Sequence, residues 1–266
     1  MLAPAQRERL LRYCCMRRFA LLLAIILCLP IAAPAADESL RAAQARLKEG
    51  GFYFGQVNGV YDSETSAAVS RFQIRNGLRI SGQLDAETMK SLGVTAAPAS
   101  AAAADARPKS DAWRRLRKTD PQFLQKLQPI ATPAADNNYS SVLVLSPERL
   151  RDYVGAFILA GLDPQIGAEL EFFAERVRYY SSGVLDREKI RRDLERYNQR
   201  WPERRFSLDG ELKVVPQADS RVNVTFPLRY ELRNGSKRSS GKVLKTLTLE
   251  VVGEDLQIVG VTERKA

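Results

Sequence analysis

No histidine occurs anywhere in the 266 residues, and the three cysteines, Cys14, Cys15 and Cys28, all fall within the first 30. Downstream of that stretch the chain has neither imidazole nor thiol. Ser-His-Asp triads, Cys-His nucleophiles and the usual His or Cys zinc sites are therefore excluded, and so are structural disulfides. No metal site and no cofactor is expected. One-sided charge is also scarce. The formal net charge is +10, but the first 35 residues hold five Arg and one Glu, which leaves 36 basic and 30 acidic residues beyond them. That mild excess suits a surface rich in carboxylate and phosphate. No basic block interleaved with aromatics points to nucleic acid.

Long apolar runs are absent but for one. Phe19 to Leu29 is unbroken, follows Met16-Arg17-Arg18, stops at Pro30 and precedes Ala33-Pro34-Ala35. A positive start, a short apolar run and small residues at an A-x-A site describe a cleaved secretory signal. The run is well short of the roughly 20 residues that span a bilayer. Residues 1–35 are thus expected to export the chain to the periplasm or cell envelope, with membrane contact only through this segment; an uncleaved anchor is the alternative. Cys28 after Leu27 does not fit a lipid-attachment site, and Arg17-Arg18 lacks twin-arginine spacing. Met16 opens a complete signal by itself, so the start is left open between Met1 and Met16.

The stretch 37–94 contains a repeat. Gly59-Val60-Tyr61-Asp62-Ser63-Glu64-Thr65 returns as Gly82-Gln83-Leu84-Asp85-Ala86-Glu87-Thr88. Each copy reads as a turn that delivers an Asp N-cap with Glu in the first helical turn. Ala68, Val69 and Phe72 form an apolar stripe behind the first cap, and Asn76-Gly77 is a C-terminal stop. Met89 and Leu92 follow the second cap. An opening helix carries Leu40, Ala43 and Leu47 and closes at Gly50-Gly51. Three short helices are expected.

This stretch resembles the peptidoglycan-binding domain type 1 family. The resemblance runs through Leu40, Gln44, Leu47, Gly51, Tyr53, Gly55, Asn58, Gly59, Tyr61, Thr65, Ala68, Val69, Phe72, Gln73, Gly77, Leu78, Gly82, Asp85, Thr88 and Leu92. Asn58 stands where the family more often has Asp, which keeps the turn chemistry. The resemblance implies the module's fold and peptidoglycan as partner. A module this small cannot enclose a ligand, so contact must be shallow. Arg71 and Arg75, four apart on one helix, could meet carboxylates bidentately. Gln56, Asn58 and Tyr61 crowd the turn before that helix. Each has a plainer reading: a solvated face for the arginines, a core aromatic for Tyr61, a turn former for Asn58.

Residues 95–137 are rich in Ala and Pro and read as a flexible linker, about 35 Å end to end as a random chain, enough for the two sides to act independently. Trp113-Arg114-Arg115-Leu116-Arg117-Lys118 is its one patterned patch, read as a solvated, transient helix or as a contact for anionic lipid or wall polymer. From 138 to 266 helices come first and strands after. Ser146-Pro147-Glu148 opens a helix with Leu150, Tyr153, Val154, Phe157 and Ile158 on one stripe. Asp163-Pro164 is expected to open a second, bearing Ile166, Leu170 and Phe173. Asp186 caps a third, with Ile190, Leu194, Tyr197 and Trp201, ended by Pro202. Val222, Val224, Phe226, Leu228, Tyr230 and Leu232 then alternate as a half-buried strand. Asn234-Gly235 turns, Val243 to Val251 alternate again, and Gly253-Glu254-Asp255 leads to a last strand.

That order resembles the nuclear transport factor 2-like fold, most closely along Arg176-Val177, Tyr179-Tyr180, Gly183, Arg187, Asp193, Tyr197 and Arg200-Trp201-Pro202. The whole is expected to be multidomain: an all-α three-helix module, then an α+β cone with a curved antiparallel sheet. The expected function is non-catalytic peptidoglycan binding, with the cone presented to an envelope protein partner or a small ligand. The alternative is a wall-modifying or isomerase-like enzyme that uses a cone carboxylate, Asp152, Glu171 or Asp193, as general base beside Tyr153 or Tyr197. Trp201 is either a packing anchor or a sugar platform.

Overall fold

The computed structural model describes residues 38–94, 111–118, 146–163, 167–217, 221–252 and 255–266. Residues 1–35, where an export signal is expected, and most of the Ala/Pro-rich stretch lie outside these. Among the described residues no helix is long and apolar enough to cross a membrane.

Helix α1 (Glu38–Glu49) buries Leu40, Ala43, Gln44 and Leu47 on one side, the period of three and four that its sequence sets. Helix α2 (Ser63–Arg75) starts where the Asp62 carboxylate accepts from the Thr65 amide at 2.7 Å. Helix α3 (Ala86–Ser91) starts in the same way, Asp85 accepting from Thr88 at 2.9 Å. Both copies of the repeat are therefore caps, as their spacing predicts. Gly77 takes φ 63° just past the α2 C-cap, a conformation that costs glycine little.

Helix α2 has no free side. Ten of its residues are buried, because its second face packs on the C-terminal half. Ile74 and Ile80 belong to the C-terminal core rather than to the module's own. Helix α4 (Ala112–Lys118) and helix α5 (Pro147–Ala160) complete the contact. Gly155 on α5 lies so close to Ile74 that an added Cβ would sit 2.1 Å from its Cδ1.

The patch at 112–118 corrects the expectation of a solvated helix within a linker. Ala112, Trp113 and Leu116 are buried in the C-terminal core. The Trp113 indole N–H donates to Asp163 at 3.1 Å, and its ring meets Phe172 at 5.5 Å. Seven residues suffice because three of them are large or tightly placed apolar groups at helical spacing, and composition across the surrounding stretch hides them.

The sheet has seven strands: β1 (Phe173–Tyr179), β2 (Val184–Asp186), β3 (Glu203–Leu208), β4 (Lys213–Pro216), β5 (Arg221–Asn234), β6 (Lys237–Val252) and β7 (Asp255–Lys265). Their order is β2-β1-β7-β6-β5-β3, with β4 also on β5. All pairings are antiparallel except β1 with β7. The alternating residues Val224, Phe226, Leu228 and Leu232 face the core, and Arg221, Arg229 and Arg233 face out. A register shift between Thr248 and Leu249 bends the long β6–β7 pair, so the sheet curves around its helices.

The second expected helix of this half is not formed across its described part. Ala168–Phe172 is a single 3-10 stretch after Gly167, and Phe173 already begins β1; Pro164 and Ile166 lie outside the described residues. Phe172 and Phe173 are both buried, which suits a strand entering the core and not one helical stripe. Helix α6 (Arg187–Arg200) forms as expected, with Asp186 accepting from Lys189, and fully buries only Ile190.

One ion cluster ties the two halves. Asp152 on α5 is fully buried, 3.2 Å from Arg71 Nε and 2.8 Å from Arg75 on α2. Arg71 also donates to the Phe52 carbonyl and Arg75 to the Glu148 carbonyl. Removing one member strands buried charge. Asp152→Asn should cost about 3–5 kcal/mol, read as a lower urea midpoint for the whole described body in one transition. An unchanged midpoint would show that the cluster holds nothing together.

Candidate functional site

Two regions of the structure could bind something: the turns of the helical module and the mouth of the curved sheet. In the module, two buried glutamines do the same work on the two copies of the repeat. The Gln44 side chain accepts from the Asn58 and Gly59 amides and donates to Val60 O and Thr65 Oγ1. The Gln73 side chain accepts from the Ser81 and Gly82 amides and donates to Gln83 O and Thr88 Oγ1. Each amide fills both its donor and acceptor capacity on a turn that would otherwise hold orphan backbone groups. The turns are thereby fixed without charge.

The five candidate contacts separate cleanly. Gln56 is exposed, and Asn58 is exposed with its carbonyl oxygen accepting from the Val60 amide and from Gln44. Asn58 is thus a turn former that still faces solvent. Tyr61 donates to the Gly82 carbonyl, which links the two turns, and burial pushes its hydroxyl pKa well up. Val57 and Val60, not singled out in the sequence, are exposed apolar groups on the same turn. Arg71 and Arg75 are elsewhere: both guanidinium groups turn into the seam and pair with Asp152. Arg71 is only 4% exposed. The four-residue spacing does aim them at a carboxylate, but the carboxylate is the chain's own.

The mouth of the sheet holds a cavity of about 400 Å³. Its walls are largely aromatic and aliphatic, with Phe157, Phe173, Tyr179, Tyr197 and Tyr230 among them, and a few converging polar groups. Glu169 is 5% exposed, and burial raises its carboxyl pKa against a smaller opposing pull from its own backbone amide and from Arg204. Lys245 donates to the Tyr180 hydroxyl at 3.1 Å and lies 3.3 Å from Glu263. Burial works against its charge, yet Tyr180 and Glu263 outweigh it and move its pKa up. Tyr179 donates to Asp193 at 3.3 Å, and burial raises the Tyr179 pKa. Tyr180 is the one non-glycine with positive φ among the described residues, at 48°. A left-handed aromatic is costly by about 1–3 kcal/mol and persists where its surroundings hold it. Here Lys245 and the Tyr179 ring, 4.7 Å away, do so.

Of the three carboxylates weighed as general bases, only Asp193 lines this cavity. Asp152 is consumed in the seam, where burial pushes its carboxyl pKa up and lowers that of Arg75 while their pairing opposes both shifts. Glu171 is exposed and pairs with Arg114 at 2.5 Å. Tyr153 donates to the Leu256 carbonyl inside the core, while Tyr197 reaches the cavity wall. Trp201 is half-buried at the C-cap of α6 under the Arg200 guanidinium, 5.7 Å from its ring, and is not part of the cavity. Glu169, Lys245 and Glu263 escaped the sequence reading because each lies on a different element, with no shared motif. Among the described residues no group of acids could hold a metal ion.

Residues 36–92 match the family described as "Putative peptidoglycan binding domain". No curated protein matches the chain. Among solved structures, a "Putative calcium/calmodulin dependent protein kinase II association domain" from Xanthomonas campestris is similar over 45% of this chain and 87% of its own, at 14% identity and TM-score 0.39. ActVI-ORFA from Streptomyces coelicolor is similar over 43% and 92%, at 13% identity and TM-score 0.38. A cystatin-like protein of Nostoc punctiforme is similar over 41% and 86%, at 12% identity and TM-score 0.34. No ligand or activity is carried over from these structures.

The raised Glu169 carboxyl sets a pH dependence. Its folded pKa exceeds the unfolded one, so its contribution to stability is complete below the unfolded pKa and is lost as pH rises through the folded pKa. Glu169→Gln removes that loss. The melting midpoint of the variant minus that of the wild type should rise between pH 4 and pH 7, by about 2–4 °C per kcal/mol. A difference that stays flat would place Glu169 in ordinary solvent contact.

Proposed function

We propose that this chain is an exported cell-envelope protein that docks on peptidoglycan without cleaving it and holds a ligand- or partner-binding cone against the wall. The observation that carries the reading is the match of residues 36–92, on a structure whose repeat turns are fixed by two fully bonded glutamines. The docking face is the turn at Gln56, Val57, Asn58 and Val60, which is exposed and rigid. Peptidoglycan offers sugar rings, amides and carboxylates. A shallow face with apolar valines between amide side chains fits the first two. Tyr61 shapes this face from beneath.

The cone's role follows from its cavity: about 400 Å³, mostly apolar walls and a few fixed polar groups suit a small amphipathic ligand. An enzymatic reading of the cone has one observation in its favour, the raised Glu169 carboxyl beside Tyr179 and Tyr180. It lacks a partner of opposite duty at hydrogen-bond distance, since Asp193 is bonded to Tyr179 and Glu263 faces Lys245.

Purified mature protein should co-sediment with isolated sacculi and release no soluble muropeptide. Gln56→Ala with Val60→Asp should weaken that retention about fivefold or more, the scale of about 1 kcal/mol, with an unchanged melting midpoint. Muropeptide release that disappears in Glu169→Gln or Asp193→Asn would replace docking by catalysis.

A further inference from the structure

A second basic feature lies where the module meets the edge of the sheet, next to the cone cavity, with which it shares Leu232 and Ser239. The loop after α2 runs along the outer strand of the sheet. Ile80 donates its amide to the Phe206 carbonyl at 2.9 Å, and Arg79 pairs with Ser207 as an isolated bridge. This brings Arg79 of the module to a polar groove of about 450 Å³ whose other walls are the ends of β3, β5 and β6. Arg204, Arg205, Arg233 and Arg238 line it with Arg79, against two carboxylates, Glu203 and Glu231.

The compensation inside the groove is partial: Glu203 stands directly opposite Arg233 across β3 and β5. Glu231 reaches Arg205 only at 4.0 Å. Arg233 and Arg238 stand directly opposite each other across β5 and β6, and like charges in that position repel. Neither has an ion-pair partner among the described residues, and Arg79 has none either. Behind them, Arg204 spends one nitrogen on the Gly161 carbonyl and leaves Nε and a second nitrogen buried without a partner. Burial lowers its pKa, the sign of a cation short of acceptors. Arg204 shares the inner face with Leu232, so four guanidinium groups, Arg79, Arg205, Arg233 and Arg238, remain for the groove, and they suit an anion of planar, bidentate geometry.

Resting on the wall-docking reading, we propose that this groove binds the free carboxylates of peptidoglycan stem peptides. The module's turn then takes the uncharged parts of the polymer, and the groove, formed jointly by module and cone, takes its charge. The groove is open at the surface, as a polymer that cannot be enclosed requires.

The test uses the full mature chain, Arg233→Gln/Arg238→Gln, native sacculi, and sacculi whose carboxylates have been converted to amides with carbodiimide and ammonia. Both side chains are exposed, so the variant should melt as the wild type does. Expected are a roughly tenfold or greater loss of affinity for native sacculi in the variant, the same loss for wild type on amidated sacculi, and no effect of amidation on the variant. Equal binding by variant and wild type, or wild-type binding indifferent to amidation, overturns the proposal. Wild type that ignores sacculi altogether defeats the docking reading instead. The groove is then decided by titrating the soluble disaccharide–tetrapeptide: binding lost in the variant sustains it, and no binding overturns it. Recruitment of wild type but not variant to phosphatidylglycerol vesicles, with the tetrapeptide ignored, assigns the groove to lipid and overturns it as well.

Discussion

Asp152 fixes the architecture. A carboxylate with no exposure, shared between Arg71 and Arg75, is tolerable only while helices α2 and α5 stay in register. Ile74 can then enter the C-terminal core against Gly155, where no larger residue fits. Trp113 closes the joint from the side of α4, its ring on Phe172 and its indole N–H on Asp163. The helical module and the curved sheet consequently share a core, although each also has residues that pack only within itself.

This union changes what the helical module presents. A free module would have the outer face of α2 available to a ligand. Here that face is interior, and what the module still exposes is the outer side of α1 and the turns, among them residues 56–58 and Val60. The aromatic cavity opens elsewhere in the sheet, so a small molecule could occupy it while the turns are engaged.

Local chemistry was legible in the sequence; long-range pairing was not. Both Asp caps, the α2 stop at Asn76-Gly77, the Asp186 cap and the alternation of Val222 to Leu232 follow from spacing alone, and the structure contains them all. Arg71 and Arg75 were read as contacts for wall carboxylates or as a solvated face, and the structure instead pairs them with Asp152, 77 to 81 positions away, which no sequence window contains. Trp113 was singled out in the sequence but read as solvated, because the Ala- and Pro-rich stretch around it holds no partner for it within its own window. The cavity's polar groups come from a 3-10 turn and two strands, so no window contains them together. The expected helix at 163–173 failed because Leu170 and Phe173 fit a helical stripe and a strand entry equally well over so short a run.

The two glutamine clasps differ in kind from the charged groups at the surface. Gln44 and Gln73 are buried, carry no charge and do not titrate, so their own bonds to the turns are indifferent to brine and acid. The groove at β3 is the opposite, lined by arginines whose attraction fades as ions crowd in. In a compartment that follows the salinity of its surroundings, such a molecule would change its grip while keeping its shape.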